Sequence, residues 1–327
     1  MSHILFSINA ILPLLIPVLL GYLFKRIGLV TREIAVGMNR LVFRLFLPVM
    51  LFLNVYRIET LAEVEPTYIF YTLGISLILF AVTIPLTRAV TKDPRQRGVL
   101  VQGSFRSNFA LVGIPLATSL FGEAGGVIAT VLGAFLIPLY NVLAVFSLSI
   151  FGDGEHKRPS WKKILTDILK NPLILAIALG FVTLLVRALF VRTGVEFRLT
   201  DLPFLEKTLS SLSAVATPLS LVVLGAQFEF SAIASLRRQI LFAVLLRGVV
   251  IPTLGLSVAY ALGCFEGAHF AAFAAAFCTP IAVSSVPMAQ EMGADSALAG
   301  QLVVWTTLVS ALTLFASAAL LNLAGVF

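Results

Sequence analysis

The sequence predicts an all-α polytopic membrane protein: ten transmembrane helices as two inverted five-helix repeats, with helices 4 and 9 broken. Three observations carry this expectation. Charged residues are only 12% of the 327 and hydrophobic residues 59%, with a mean hydropathy of +1.02. Ten mostly apolar stretches of roughly 20 residues follow one another, the length needed to cross a bilayer. Prolines recur in matching order in the two halves.

Soluble domains carry about 25% charged residues. With half that, the chain cannot cover a water-facing surface. A soluble enzyme, a disordered chain and a nucleic-acid binder are thereby excluded, despite a net charge of +7. The lipid bilayer is the expected partner, and the basic excess belongs in loops on one side of it.

The ten segments are 4–24, 35–55, 67–88, 98–121, 125–150, 170–191, 209–229, 239–262, 268–291 and 296–323. The first has no basic leader and no small-residue cleavage site, so it reads as a retained span. Only 152–169 is a long, charged connection. It divides the chain into a first five-span repeat (1–151), a basic cytoplasmic loop (152–169) and a second five-span repeat (170–327). The long apolar runs differ from the alternating strands of an outer-membrane barrel.

Orientation follows from Lys and Arg in the connections. The odd ones hold Lys25, Arg26, Arg32, Arg88, Lys92, Arg95, Arg97, Lys157, Arg158, Lys162, Lys163, Lys170, Arg237 and Arg238. The even ones hold only Arg57, Arg187, Arg192, Arg198 and Lys207, and the second is acidic with Glu59, Glu63 and Glu65. Odd loops are expected in the cytoplasm, with both termini outside.

The repeat shows in the prolines. Pro13 to Gly21 resembles Pro172 to Gly180. Pro48, Pro85 and Pro115 match Pro218, Pro252 and Pro287. Five spans per half place the halves in opposite orientations, an arrangement common in secondary transporters.

Proline removes a backbone donor and clashes with the carbonyl four residues back. In lipid the freed groups need partners, so irregular backbone belongs against protein or a wet cavity. Segment 4 holds Arg106, Asn108, Gly113 and Pro115. Segment 9 holds Thr279, Pro280, Ser284, Ser285, Pro287 and Gln290. Paired Gly/Pro interruptions in corresponding segments point to a transport site. Their exposed backbone groups and half-helix N-termini suit an anion. The hydroxyl and amide side chains add donors, or serve only the freed backbone.

Arg106 and Arg247 each lie about 12 Å into their segments at 1.5 Å per residue. Either they snorkel to the interface, or they give a cavity the positive potential that draws anions. Asn141 in segment 5 is a cavity or helix-contact candidate, and Glu291 a partner for a loop cation. His3, His156 and His269 are scattered, and Cys264 and Cys278 form no cluster, so no metal site and no cofactor are expected. No GxxxxGK[ST] motif exists to bind ATP.

Asn108-Phe-Ala-Leu-Val-Gly113-Ile-Pro115-Leu resembles the fourth-span motif of the auxin efflux carrier family. Leu47-Pro48-Val-Met-Leu51-Phe52 is similar to its second-span signature. Arg247 ahead of Pro252, and Pro280 to Gly293, are similar to its eighth and ninth spans. The short central loop resembles that of bacterial members. The resemblance implies broken helices 4 and 9 crossing at their prolines, a scaffold of spans 1, 2, 6 and 7, and a mobile unit of spans 3–5 and 8–10 that moves elevator-fashion. It also implies homodimers and carboxylate-bearing substrates, with Asn108, Pro115 and Pro287 as motif positions. The expected function is an inner-membrane secondary carrier of small organic anions. Alternatives are a membrane receptor that binds without transporting, and a sodium-coupled carrier like the bile-acid symporters.

Overall fold

Helix follows the apolar segments closely in a computed structural model, which describes residues 2–58, 66–151, 161–194, 198–261, 263 and 266–323. Glu59, Glu63, Glu65, His156 and Cys264 lie outside the described residues. The helices are α1 (Ser2–Arg26), α2 (Arg32–Tyr56), α3 (Pro66–Val90), α4 (Pro94–Phe105) and α5 (Phe109–Phe151). They continue with α6 (Trp161–Lys170), α7 (Pro172–Arg192), α8 (Pro203–Gln227) and α9 (Ala232–Ala261). Last come α10 (Gly267–Cys278), α11 (Ser285–Glu291) and α12 (Ser296–Leu323). Among the described residues seven helical runs are long and apolar enough to cross a membrane, and α10 is a shorter apolar helix. Leu175, Leu179, Val182, Leu185 and Leu189 of α7 all point outward. Such an apolar face suits lipid, not water.

Each of the ten predicted segments is mainly helical, with segments 4 and 9 interrupted. The expectation of a loop over 152–169 needs amendment, because Trp161–Lys170 is helical. Its buried Ile164 contrasts with exposed Leu165 and Leu169. Segments 4 and 5 meet inside α5 at Phe121 (φ −136°) and Gly122 (φ 63°). That positive φ strongly favours glycine.

The prolines act as expected in kind but not in detail. Pro48, Pro115 and Pro252 each follow a π-helical turn: Val42–Phe46, Phe109–Gly113 and Leu246–Val250. In each, the residue before the proline donates to the carbonyl five back: Leu47 to Val42, Ile114 to Phe109, Ile251 to Leu246. A wider turn makes room for the ring and keeps the hydrogen-bond ladder going. The carbonyl that Pro252 leaves free, Gly248, accepts the Thr313 hydroxyl at 2.7 Å.

The closest helix packing falls into two sets, with α1 also packing on α12 between them. In one, α1 crosses α8 and α2 packs on α7 and α8; in the other, α10 and α4 pack on α5, α3 on α4, and α9 on α12. Glycines set the first group. A Cβ on Gly21 would lie 2.0 Å from the Val222 carbonyl oxygen, and one on Gly225 1.9 Å from that of Val18. The α1 and α8 backbones therefore touch, the close approach small residues allow in membranes. Gly180 of α7 likewise faces Val55 and Phe52 of α2.

Connections sort to two ends. At one end, Arg238 bonds the Ala89 carbonyl, Gln96 bonds Asp295, and Lys25 bonds the Phe228 carbonyl. At the other, Arg57 bonds Glu206 and Ser210, and the Leu199 N–H bonds the Tyr56 hydroxyl. Odd connections meet odd ones, and even meet even.

Candidate functional site

The break in segment 4 spans Arg106–Asn108, between α4 and α5; that in segment 9 spans 279–284, between α10 and α11. At Ser107 and Ile281 the two stretches pair as an antiparallel bridge. Asn108 N–H donates to the Pro280 carbonyl at 2.7 Å and Ala282 N–H to that of Arg106 at 3.3 Å, bridging Ser107 and Ile281. Ile281 N–H reaches the Thr306 hydroxyl at 3.2 Å. Much of the backbone freed by the two interruptions thus pairs across the crossing, as burial away from water requires.

Beside the crossing lies a cavity of about 70 Å³. Arg106, Asn108, Asn141 and Ser284 line it, together with Asn54, Tyr140, Thr217 and Ser220. Arg106 is 2% exposed. Its guanidinium donates to Asn141 Oδ1 at 2.8 Å, Ser284 Oγ at 2.8 Å and Gln102 Oε1 at 3.4 Å, and lies against the Met288 sulfur. Among the described residues no carboxylate pairs with it. Snorkelling is excluded, for the charge stays at the crossing. Asn108 is 5% exposed, and its Nδ2 has no partner. It also stands at the N-terminus of α5, the positive end of the helix dipole. One full cation, one free amide donor and one helix N-terminus thus converge on one small cavity.

Arg247 does something else. It is 2% exposed and donates to three backbone carbonyls: Thr279 at 2.9 Å, Ala276 at 2.9 Å and Ser104 at 3.2 Å. These belong to the C-terminal ends of α10 and α4, where the dipole is negative and carbonyls lack intrahelical partners. Arg247 neither snorkels nor lines the cavity; it ties the two broken helices together.

The other predicted residues scatter. Pro115 lines a lateral cleft of about 620 Å³ with Pro13, Pro17 and Pro218. Gly113 packs on the Phe109 ring, 2.6 Å from where its Cβ would be. Ser285 and Pro287 are buried in α11. Gln290 lines a vestibule of about 410 Å³ with Lys25, Arg32 and Glu229. Glu291 pairs with Arg44 at 3.9 Å. The sequence reading missed Asn54, Thr217 and Ser220. Asn54 lies seven residues after Leu47, on one helical face of an otherwise apolar run, and that spacing is the signal that marks it.

On the Arg57 side opens a cleft of about 1070 Å³, lined by Arg57, Glu123 and Thr118 among others. It shares Asn54, Ala110 and Ile137 with the central cavity. The vestibule at the Lys25 end shares no lining residue with that cavity. The central cavity also shares Met50, Leu111 and Thr217 with the cleft of about 620 Å³.

Residues 6–316 match a protein family described as membrane transport protein. An uncharacterized transporter of Methanothermobacter thermautotrophicus is 26% identical over 326 residues, covering 94% of this chain and 96% of the relative. An uncharacterized transporter of Methanocaldococcus jannaschii is 26% identical over 222 residues, 66% of this chain and 67% of the relative.

Proposed function

The chain belongs to the membrane transport protein family, the auxin efflux carrier family whose motifs it carries, and from that premise we propose that it is a secondary carrier of small organic anions. The observation that carries this reading is Arg106, a full positive charge buried at the helix crossing with only neutral partners. A buried unpaired cation is costly within a membrane, and its natural counter-ion is the cargo. The substrate carboxylate sits on the guanidinium, the Asn108 amide and the α5 N-terminus. The cavity of about 70 Å³ accepts a carboxylate head, since liquid water takes about 30 Å³ per molecule. The remainder of a mono- or dicarboxylate extends into the cleft beyond Asn54. A cation at the crossing also disfavours a sodium ion bound there.

Ten crossings as an inverted repeat account for the paired glycines. Gly21 of α1 opens a crossing with α8, and its sequence counterpart Gly180 of α7 opens one with α2. Segments 1 and 7 thus meet as segments 6 and 2 do. On this reading α1, α2, α7 and α8 are the scaffold, through which two copies dimerise, and the rest moves as an elevator. Odd connections face the cytoplasm of a cell with one inner membrane barrier to cross, and both termini face outward. An inside-negative potential then favours export of an anion by about 2.3 kcal/mol per charge per 100 mV.

The test is thermal unfolding with mono- and dicarboxylates, with and without sodium, paired with uptake into reconstituted vesicles. Ligands that bind the folded state raise its unfolding temperature. Asn108→Ala should abolish that rise while the protein stays folded. A carboxylate-induced rise without saturable flux would make this chain a receptor; no rise with any carboxylate would remove the anion reading.

A further inference from the structure

One helix crosses nothing. The ten residues of α6 (Trp161–Lys170) rise ~15 Å, half of what a hydrocarbon core requires. Nor does α6 extend α7. The chain turns at Asn171 (ψ 124°), which caps α7 by accepting the Leu173 N–H at 2.9 Å. Asn171 is 6% exposed, with its Nδ2 3.8 Å from the Met292 sulfur, so the turn is held in place. α6 packs on α5 and α7. One of these ends at Phe151, whose ring lies 4.6 Å from the Arg97 guanidinium, and the other starts at Pro172. Both termini belong to the odd-connection end, so α6 sits at the level of the bilayer surface.

Its side chains fall in stripes. At about 100° per residue, Ile164 and Ile168 share one face and Leu165 and Leu169 the next. Lys162 comes beside Leu169, and Lys170 lies beyond it. Ile164 is 4% exposed and Ile168 packs against the core. Leu165 and Leu169 are 57% and 60% exposed, and Lys162 and Lys170 are exposed too. Among the described residues neither lysine has a salt-bridge partner. The one acidic residue of the helix, Asp167, stands on the side opposite the leucines.

We propose that α6 is an interfacial binding site for anionic phospholipid. The isoleucines hold the helix on the protein, and the leucines enter the boundary between headgroups and acyl chains, as amphipathic helices do. Lys162 and Lys170 border that stripe, lay their stems along it and meet lipid phosphates. Charge selects the occupant. The leucines alone would suit any lipid, but a lysine border with the carboxylate turned away suits a negative headgroup. Bound lipid holds α6 against α5 and α7, the joint between the two repeats. The inference needs the bilayer only and is independent of the anion-carrier reading.

Two measurements test this. In neutral detergent, titration with phosphatidylglycerol should raise the unfolding temperature, and phosphatidylcholine or inorganic phosphate should not. Lys162→Gln/Lys170→Gln should weaken the phosphatidylglycerol affinity about 25-fold, about fivefold per lysine, with the lipid-free unfolding temperature unchanged. Arg192→Gln/Lys207→Gln, which removes two charges from the even connections, should keep the wild-type affinity. Equal affinity in the two double variants, or an equal rise with phosphatidylcholine or phosphate, overturns the site. Second, a bimane is attached to Leu165→Cys or to Asp167→Cys in a Cys264→Ala/Cys278→Ala background. In vesicles of phosphatidylcholine and phosphatidylglycerol with brominated chains, the bimane at 165 should be quenched more strongly than that at 167. Equal quenching overturns the interfacial placement. Folded Leu165→Cys protein that resists labelling would show another chain segment, or a second copy, covering the stripe, and overturns it too.

Discussion

Asn108 and Pro280 are joined by a 2.7 Å hydrogen bond from the Asn108 N–H to the Pro280 carbonyl. Through it, two helices broken 172 positions apart by number become one antiparallel crossing. The side chain of Asn108 is left free to face the cavity, so backbone and side chain of one residue serve structure and site separately.

Arg106→Gln should separate stability from binding. The variant removes a buried charge whose partners are all neutral, so unfolding should need no less heat than in the wild type. Carboxylate affinity should fall at least tenfold, in keeping with ~1.5–3 kcal/mol for a hydrogen bond to a charged group. Titration by calorimetry or thermal shift reads both.

Arg247→Met should do the reverse. Three buried carbonyls lose their donor, at ~1–3 kcal/mol for each group left unsatisfied. A stability loss of several kcal/mol is expected in detergent unfolding, with the affinity of the protein that remains folded little changed. A neutral Arg247→Met would show that these carbonyls find other partners.

Gly21→Val and Gly225→Val should each break the α1–α8 crossing, because the new Cβ would sit about 2 Å from a carbonyl oxygen. Loss of folded yield, or destabilisation beyond ~3 kcal/mol, is the expected result. Gly37→Ala is the control. Nothing lies within 4 Å of its Cβ position, and in a helix interior the change should stabilise by ~0.5–1 kcal/mol.

Thr313→Val removes the donor to the Gly248 carbonyl that Pro252 leaves free. The expected cost is ~1–3 kcal/mol. The double variant with Pro252→Ala should recover part of it, since alanine restores an N–H for that carbonyl. Additive losses in the double-variant cycle would sever the link between this bond and the π turn.

How far the site could be read in advance differs by residue. Asn108 and Ser284 were legible, because amides and hydroxyls beside Pro and Gly in apolar segments are conspicuous. Arg106 and Arg247 were visible as buried-depth charges, yet their fates diverge. A guanidinium on a helix reaches a cavity or a helix end according to which neighbour stands opposite, and segments 4, 5 and 9 decide that. Asn54, Thr217 and Ser220 look like ordinary helix polarity until α2 and α8 are set against the crossing.

Composition, segment length and proline placement, all local properties, determined that this chain lives in a bilayer as a set of helices with two interrupted ones. Apolar length and a missing N–H have the same consequences wherever the chain goes. Only the tertiary arrangement decided which cation guards the cavity and which ties helix ends. It also decided which spaces border the cavity: lining residues are shared with the cleft at Arg57 and none with the vestibule at Lys25. Those facts depend on contacts between residues far apart in number, and hydrophobic periodicity carries no record of which helix lies beside which.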